Sequence, residues 1–288
     1  MGVFFSIPSL ENTFEMKVSY ERAILKANVI FKFSSTFKDS IIFSPAGNYI
    51  NQVNDIIYLP GFRGNPERNY VITAAGSKYP GSFNDYVASV IHQWENTRDD
   101  RLKHLSDALK HIGLTSYVTT RSVEDTRVEV RVGRLPVTSR GNARDTVSIA
   151  DVGFGVSQTL PVLVAFLTAE PGQMVYVEQP ELHLHPRAQV AMADLIVQAA
   201  NRGARVVIET HSSLLILALQ AAIAKGDIAP DRVSLNWFTR DKTGQTHVAE
   251  AQLAEDGSYG DWPVDFDEIE LMLQDRYMTL VDRRRAPA

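Results

Sequence analysis

The chain has 288 residues, of which 44% are hydrophobic and 22% are charged, and its formal net charge at pH 7 is −5. A chain of this length can bury a core as one large or two small domains. The acidic balance argues against an electrostatic grip on nucleic acid by the whole surface, and the absence of cysteine excludes disulfides and cysteine–zinc sites.

No stretch of the sequence has the character of a membrane span or a secretion signal. No run approaches the roughly 18 uninterrupted apolar residues that a span needs. Residues 1–8 have no basic n-region and are too short for a signal peptide. We therefore expect a soluble, cytoplasmic protein that has no membrane partner.

Short apolar runs and turn residues alternate through residues 1–80. Ile41-Ile42-Phe43 and Ile56-Ile57-Tyr58 are apolar, and Pro45-Ala46-Gly47 is a turn signal. This texture predicts strands and their connections.

Residues 81–145 begin with a helical pattern and continue with a strand-like one. Between 82 and 112, Phe83, Val87 and Ile91 are spaced for one helix face, and Gly113 predicts the stop. Alternation at 126–136 predicts a hairpin strand. Arginines recur around it, at Arg121, Arg127, Arg131, Arg134, Arg140 and Arg144. Because acids are interspersed, a solvated β face and a nucleic-acid contact both remain open.

Residues 146–240 alternate strand and helix patterns. Strands are predicted at 174–178 and 205–210, and Pro186 and Ser212 or Ser213 mark helix starts after each of them. The near-continuous Val and Ile character of both strands predicts a parallel sheet covered on both faces. We expect two strands, at 233–238 and 246–251, to form a hairpin. A helix is expected at 267–280.

Three polar segments follow one another in this alternating region. They are Asp-Val-Gly-Phe-Gly-Val-Ser-Gln at 151–158, Glu-Gln-Pro-Glu-Leu-His-Leu-His-Pro at 178–186, and Glu-Thr-His-Ser at 209–212. An apolar strand that ends in a carboxylate is a usual way to hold hydrated Mg²⁺ at the carboxyl edge of a parallel sheet. The neighbouring strand ends near a histidine, so the two tips would present an acid and an imidazole to one phosphate group.

The order and spacing of these segments resemble the carboxyl-terminal half of an ABC-type ATPase core, of the branch that contains the RecF, SMC and OLD proteins. Within it, the segment at 178–186 resembles a bacterial AAA/ABC-like group that ends in a small domain of unknown function. Tyr58-Leu59-Pro60-Gly61-Phe62-Arg63 is similar to that group's Tyr-Leu-Gly-Pro-Leu-Arg segment. The resemblance implies an α/β, P-loop NTPase-like sheet flanked by helices, with ATP and Mg²⁺ as cofactors.

The resemblance also implies roles for individual residues. Glu178 takes the Walker B position and would bind Mg²⁺, and His211 is the switch histidine that would contact the γ-phosphate. Gln179 stands where most members carry the catalytic glutamate, and an amide cannot accept a proton as a base. Glu181 is the candidate substitute, although it can also cap the following turn.

By the same resemblance, the segment at 151–158 is similar to the signature motif, which in such ATPases contacts the nucleotide held by the other subunit. The residues assigned to that contact are Asp151, Gly153, Gly155, Ser157 and Gln158. Asp151 takes a serine position and would repel a γ-phosphate unless it faces away. Glu181, His183 and His185 alternate and allow a zinc site, but flanking prolines favour a D-loop at a dimer seam.

A phosphate-binding loop is missing from the sequence. It requires Gly-x-x-x-x-Gly-Lys-Ser/Thr, and no glycine of this chain is followed by lysine, with Gly76-Ser77-Lys78 the nearest imitation. We therefore expect an ATPase that lacks its first lobe. The chain is expected to divide into four segments: remnant core strands at 1–80, a helical arm and β hairpin at 81–145, the motif-bearing lobe at 146–240, and a hairpin and tail at 241–288. The expected partners are a second copy of the chain, as a homodimer, or another polypeptide that supplies the missing lobe.

Three functions are compatible with these patterns. One is an ATPase subunit or fragment that acts on DNA or on an effector protein, including in antiphage defence. A second is a catalytically inactive scaffold that keeps the ATPase fold. A third is an OLD-type nuclease, for which Asp265 and Asp267 have the required spacing but stand in the tail segment.

Overall fold

The computed structural model describes residues 55–73, 76, 78–133, 145–260 and 268–285, together with strands at 2–6, 13–21, 24–32 and 41–43. The chain divides into two compact units, residues Met1–Ile56 with Gly76–Pro80 and residues Ile57–Ala75 with Gly81–Ala288. Several predictions fall outside the described residues. They concern Ser77, Arg134, Arg140, Arg144 and the pair Asp265 and Asp267.

The first unit contains an antiparallel sheet. Its strands are β1 (Gly2–Ser6), β2 (Thr13–Glu21), β3 (Ile24–Lys32) and β4 (Ile41–Phe43), in that spatial order. The later strands of residues 1–80, β5 (Ile57–Leu59) and β6 (Tyr70–Val71), belong to the second unit. The division into four segments remains a prediction.

A parallel sheet organises the second unit. Its order is β11 (Arg205–Glu209), β10 (Met174–Glu178) and β5, with β10 parallel to both neighbours. The positions of the two strands and their parallel direction confirm the sequence prediction. The fold is α/β, with helices packed on this sheet.

Two of the described helices contact the parallel sheet, and a third packs against one of them. Helix α3 (Phe154–Thr168) contacts β5 and β10, and α4 (Pro186–Asn201) contacts β11 and packs against α5 (Ser213–Lys225). Pro186 is the first residue of α4, where its missing N–H costs no hydrogen bond. Ser212 caps α5, because its Oγ accepts a hydrogen bond from the backbone N–H of Leu215 at 3.0 Å. Both helix starts confirm the sequence prediction.

The parallel sheet is covered on one face only within the described residues. Val175 and Val177 are buried towards the helices, together with Ile57 and Leu59 of β5. On the opposite face the partly buried Tyr58 and Tyr176 pair in register with Val207, which is 43% exposed. Cover on this face is not seen within the described residues, and the expected cover on both faces therefore stays a prediction.

The segment before α3 contains two helices and contributes to a second, four-stranded sheet. The helices are α1 (Val87–Thr97), which ends at the left-handed Arg98, and α2 (Arg101–Ile112), which ends at Gly113 as predicted. The sheet combines β7 (Val118–Glu124), β8 (Arg127–Gly133), β6 and β9 (Thr146–Ser148). Within it, the buried carboxylate of Glu129 pairs with Arg121 at 2.7 Å and with Arg131 at 2.9 Å. This pairing favours a neutralised β face over a cationic one.

The C-terminal part forms a hairpin and a helix. Strands β12 (Leu235–Arg240) and β13 (Thr246–Ala251) are antiparallel, which confirms the predicted hairpin, and α6 (Glu268–Arg285) follows. Among the helices of the described residues, none combines the length and the apolar character that crossing a membrane requires.

Candidate functional site

Glu178 lies at the carboxyl end of β10, where both of its side-chain oxygens accept hydrogen bonds. The hydroxyl of Tyr58 donates to Oε1 at 2.9 Å, and the backbone N–H of Gly61 donates to Oε2 at 3.0 Å. The bond to Glu178 is the largest cause that raises the pKa of Tyr58 above its usual value. The carboxylate is therefore held in place by the segment that follows β5.

The carboxylate of Glu178 retains free lone pairs with which it could act as a single protein ligand to Mg²⁺. An ionised carboxylate offers about four lone-pair positions, and the two hydrogen bonds use only two of them. Among the described residues, no group of three His, Cys, Asp or Glu side chains could hold a metal ion. Mg²⁺ commonly keeps several waters and takes one or two carboxylates plus phosphate oxygens, so an ion here would depend on a bound nucleotide.

Gln179 adopts an unusual backbone conformation directly after this acid. Its φ is 45°, in the left-handed region that residues other than glycine rarely occupy. Its N–H donates to the backbone oxygen of Glu209 at 2.7 Å, which links the ends of β10 and β11. A Cβ on Gly61 would lie 3.3 Å from Gln179 Oε1, so the amide group sits closely over Gly61.

Glu181 connects the loop after β10 to the loop after β11. Its Oε1 accepts from the hydroxyl of Thr210 at 2.8 Å and from the backbone N–H of His211 at 3.0 Å. Its Oε2 is buried and has no hydrogen-bond partner among the described residues. The side chain of His211 is exposed next to this junction. The structure thus brings Glu178, Gln179, Glu181 and His211 to one edge of the sheet.

Asp151 is paired with a cation at the start of the signature-like segment. Arg68 donates to both of its oxygens, with Nη1 3.1 Å from Oδ2 and Nη2 2.5 Å from Oδ1. The side chains of Arg68 and Asp151 are 68% and 42% exposed, so solvent weakens the pair. The negative charge that Asp151 would direct at a phosphate is balanced in place by Arg68.

The two glycines of this segment lie at the beginning of α3. Gly153 is the N-cap residue, and Gly155 packs so closely that a Cβ would lie 3.3 Å from the backbone oxygen of His183. The ring of Phe154 contacts that of His183 at a centroid distance of 5.5 Å. The start of α3 and the loop at 180–185 therefore form one continuous surface.

Ser157 and Gln158 turn towards the protein interior. The hydroxyl of Ser157 donates to the backbone oxygen of Phe154 at 3.2 Å. Gln158 is 1% exposed and bonds to the backbone of Arg63 and Gly64. A nucleotide contact by either side chain stays a prediction.

The histidines of the loop at 180–185 do not lie in a strand, because His183 is in a turn and His185 is the N-cap residue of α4. His183 has a φ of 65°, and Nδ1 of His185 accepts from the N–H of Arg187 at 3.3 Å at the start of α4. The alternation that a zinc site would need is therefore not realised by the backbone. This placement favours the D-loop interpretation.

Sequence reasoning assigned no role to Tyr58, Arg63 or Arg68. Tyr58 and Arg63 belong to the segment at 58–63, and its similarity to a family segment is the sequence signal that could have indicated a role for them. Arg63 is 7% exposed, and burial lowers the pKa of its guanidinium to about 10. For Arg68, no sequence pattern indicates the pairing with Asp151.

The fold is an α/β domain, and a family model identifies the family to which the chain belongs. The model described as "AAA domain, putative AbiEii toxin, Type IV TA system" matches residues 67–218, just over half of the chain. The chain belongs to this AAA-domain family, which supports an AAA/ABC-type ATPase-like domain. Among proteins of curated function, none matches the chain significantly.

Several solved SMC head structures resemble the fold at low identity. A structure from work on ATP-driven dimerization and DNA-stimulated activation of SMC ATPases is 10% identical, with TM-score 0.38, over 68% of this chain and 98% of that one. The Smc head from Pyrococcus furiosus, bound to the C-terminal domain of ScpA, is 13% identical, with TM-score 0.40, over 67% and 39%. A SmcHead bound to the C-winged helix domain of ScpA is 10% identical, with TM-score 0.46, over 84% and 75%. The family assignment rests on the sequence match, not on these values.

Proposed function

We propose that this chain supplies the Walker B, signature and switch elements of an ABC-type ATPase site. The observation that carries the proposal is the convergence of Glu178, Glu181 and the loop of His211 at the carboxyl edge of the parallel sheet. Ligands of α/β sheets bind at this edge. Phosphoryl transfer depends chiefly on positioning and charge neutralisation, and an acid for Mg²⁺ beside an exposed imidazole suits that task.

We further propose that the phosphate-binding loop comes from a separate lobe that packs on the sheet. Parallel sheets are normally covered on both faces, whereas Val207 on one face here is 43% exposed. Glu178 and Glu209 pair in register at the end of this face, and they would favour an incoming cationic group. A partner polypeptide supplies this lobe, because a second copy of the same 288 residues also lacks a Gly-Lys pair. DNA-linked or defence processes are the proposed setting, in keeping with the toxin–antitoxin description of the family.

Titration calorimetry and an ATP-turnover assay test the proposal on the 288-residue chain. We expect weak Mg-ATP binding and background turnover, because no Gly-Lys pair exists in the 288 residues to cradle phosphates. A micromolar dissociation constant together with turnover that Glu178→Gln abolishes would contradict the need for a separate lobe.

Addition of the missing lobe tests the site itself. Genomic DNA around the coding sequence identifies its source, either as an in-frame Gly-x-x-Gly-x-Gly-Lys-Ser/Thr or as a neighbouring gene that carries it. The combined protein should hydrolyse ATP, and Glu178→Gln should remove that activity while Glu250→Gln, on the distant β12–β13 hairpin, leaves it unchanged. Equal activity of both variants would refute the assigned role of Glu178.

An inactive scaffold is the second candidate, and the state of Gln179 and Glu181 favours it. Gln179 cannot act as a base, and one oxygen of Glu181 already accepts two hydrogen bonds. A scaffold would bind its partner whether or not nucleotide is present. Absence of hydrolysis by the complete complex, with partner binding unaffected by Mg-ATP, would support this function and oppose the ATPase.

A further inference from the structure

Arg63 is a buried arginine that touches two other segments of the second unit. Its backbone N–H donates to Gln158 Oε1 at 3.0 Å, and its Nη1 donates to the backbone oxygen of Gln158 at 3.3 Å. In return, Nε2 of Gln158 donates to the backbone oxygen of Gly64 at 2.7 Å. These bonds fasten the loop after β5 to the second turn of α3.

The same guanidinium also holds the end of β10. Its Nη2 donates to the backbone oxygens of Glu178, at 2.6 Å, and of Gln179, at 3.3 Å. These two carbonyl groups flank the left-handed Gln179, whose φ is 45°. A strained backbone of this kind persists only when its surroundings hold it, and Arg63 provides two of the contacts that do so.

The burial of the Arg63 guanidinium is not explained by its contribution to the stability of the fold. Desolvation disfavours the charged guanidinium, and its Nε is buried without a hydrogen-bond partner among the described residues. An apolar side chain of similar volume often serves stability as well or better. The planar fork of arginine can reach several acceptors at once, which a lysine ammonium on a flexible stem does not reproduce.

We infer that Arg63 and Gln158 are positioning residues that couple the start of α3 to the Glu178 carboxylate and the Gln179 amide. A movement of α3 is transmitted through Gln158 to Arg63, and from Arg63 to the two carbonyl groups at the end of β10. The consequence for catalysis rests on the proposed ATPase function. The coupling itself is a property of this chain and can be tested without nucleotide.

Amide hydrogen exchange followed by NMR on the full chain tests the coupling. The reporters are the N–H of Gly61, bonded to Glu178 Oε2, and the N–H of Gln179, bonded to Glu209 O. In Arg63→Lys we expect both amide hydrogens to exchange about tenfold faster. A tenfold change is what the loss of one hydrogen bond from a charged group can cause. The N–H of Leu195 in α4 reports global opening and should stay within about twofold.

A second variant and a matched control complete this experiment. Gln158→Met keeps the volume of the buried side chain, and Gln158 bonds to neither reporter N–H. Faster exchange of the Gln179 N–H in this variant therefore demonstrates that a change in α3 affects the end of β10. Arg202→Lys is the control, because Arg202 also donates to a backbone oxygen, that of Phe166 at 3.2 Å, away from the site. Reporters that keep wild-type exchange in Gln158→Met overturn the coupling, even if Arg63→Lys fails to fold.

Kinetics of the complete complex separate this inference from the proposed function. Because Arg63 contacts the backbone and not the nucleotide position, Arg63→Lys should lower kcat about tenfold and leave the KM for ATP within about twofold. An unchanged kcat overturns the catalytic consequence. If the wild-type complex has no turnover while the exchange result holds, the ATPase proposal fails and the coupling stands.

Discussion

At the scale of single residues, the contact with a terminal phosphate that we propose for His211 depends on its exposed position at the sheet edge. Its backbone N–H is anchored by Glu181, so the side chain is presented at the sheet edge. In the complete complex we expect His211→Ala to lower kcat about a hundredfold and to change nucleotide affinity less. The reason is that loss of one hydrogen-bond donor to a charge that develops in the transition state has an effect of this size. Steady-state kinetics measure both, and His247→Ala on the β12–β13 hairpin is the control. Unchanged values would reduce His211 to a structural residue.

The hydrogen bond between Tyr58 and Glu178 makes stability depend on pH. It raises the pKa of Tyr58 above 10.0 in the folded chain. The folded state then holds this proton more tightly than the unfolded state, so the contribution is complete below the unfolded pKa and is lost as the pH rises through the folded one.

Urea denaturation at about pH 8 and about pH 10.5 measures this loss. We expect the free energy of unfolding to fall less between the two values in Tyr58→Phe than in the wild type. Tyr277→Phe removes a hydroxyl from a side chain of α6 that is 65% exposed, and it should behave as the wild type. Equal losses in Tyr58→Phe and the wild type would contradict the assignment.

At the scale of elements, Ser212 joins the start of α5 to α4. Its Oγ accepts from the N–H of Leu215 at 3.0 Å and donates to Gln189 Oε1 at 2.7 Å. We expect Ser212→Ala to lower the free energy of unfolding by about 1–2 kcal/mol, through loss of the cap and of a buried partner. Ser213→Ala, one position later, should change it by under about 0.5 kcal/mol. Chemical denaturation of both variants measures the difference, and equal effects would refute the cap.

At the scale of the whole molecule, the face of the parallel sheet that has no cover within the described residues predicts association. Val207 and Phe154 are 43% and 44% exposed, and large apolar side chains that remain open on a sheet or beside a site commonly mark interfaces. We expect the isolated chain to self-associate, and Val207→Lys to shift it towards monomer. Val248→Lys, at a residue 56% exposed on the β12–β13 hairpin, is the matched control.

Light scattering over a roughly hundredfold range of concentration measures this association. A wild-type chain that stays monomeric throughout would contradict the prediction and would favour a self-contained scaffold. A shift caused equally by both lysine variants would place the interface elsewhere.

The sequence by itself determined the local elements and the order of the motifs. The apolar runs at 174–177 and 206–208 predicted β10 and β11 correctly. Pro186, and the choice of Ser212 or Ser213, predicted the starts of α4 and α5, because each signal acts within a few residues. The convergence of Glu178 and His211 also followed, since neighbouring parallel strands end at one edge.

Only the tertiary structure decided which side chains hold those motifs. Tyr58 meets Glu178 across 120 positions of sequence, Arg63 meets Gln158 across 95, and Arg68 meets Asp151 across 83. Such pairs depend on how β5 enters the parallel sheet beside β10, which no local pattern encodes. The same holds for the exposed face of β11, because burial depends on where helices pack, and the apolar character of a strand does not reveal whether its cover lies within the same chain.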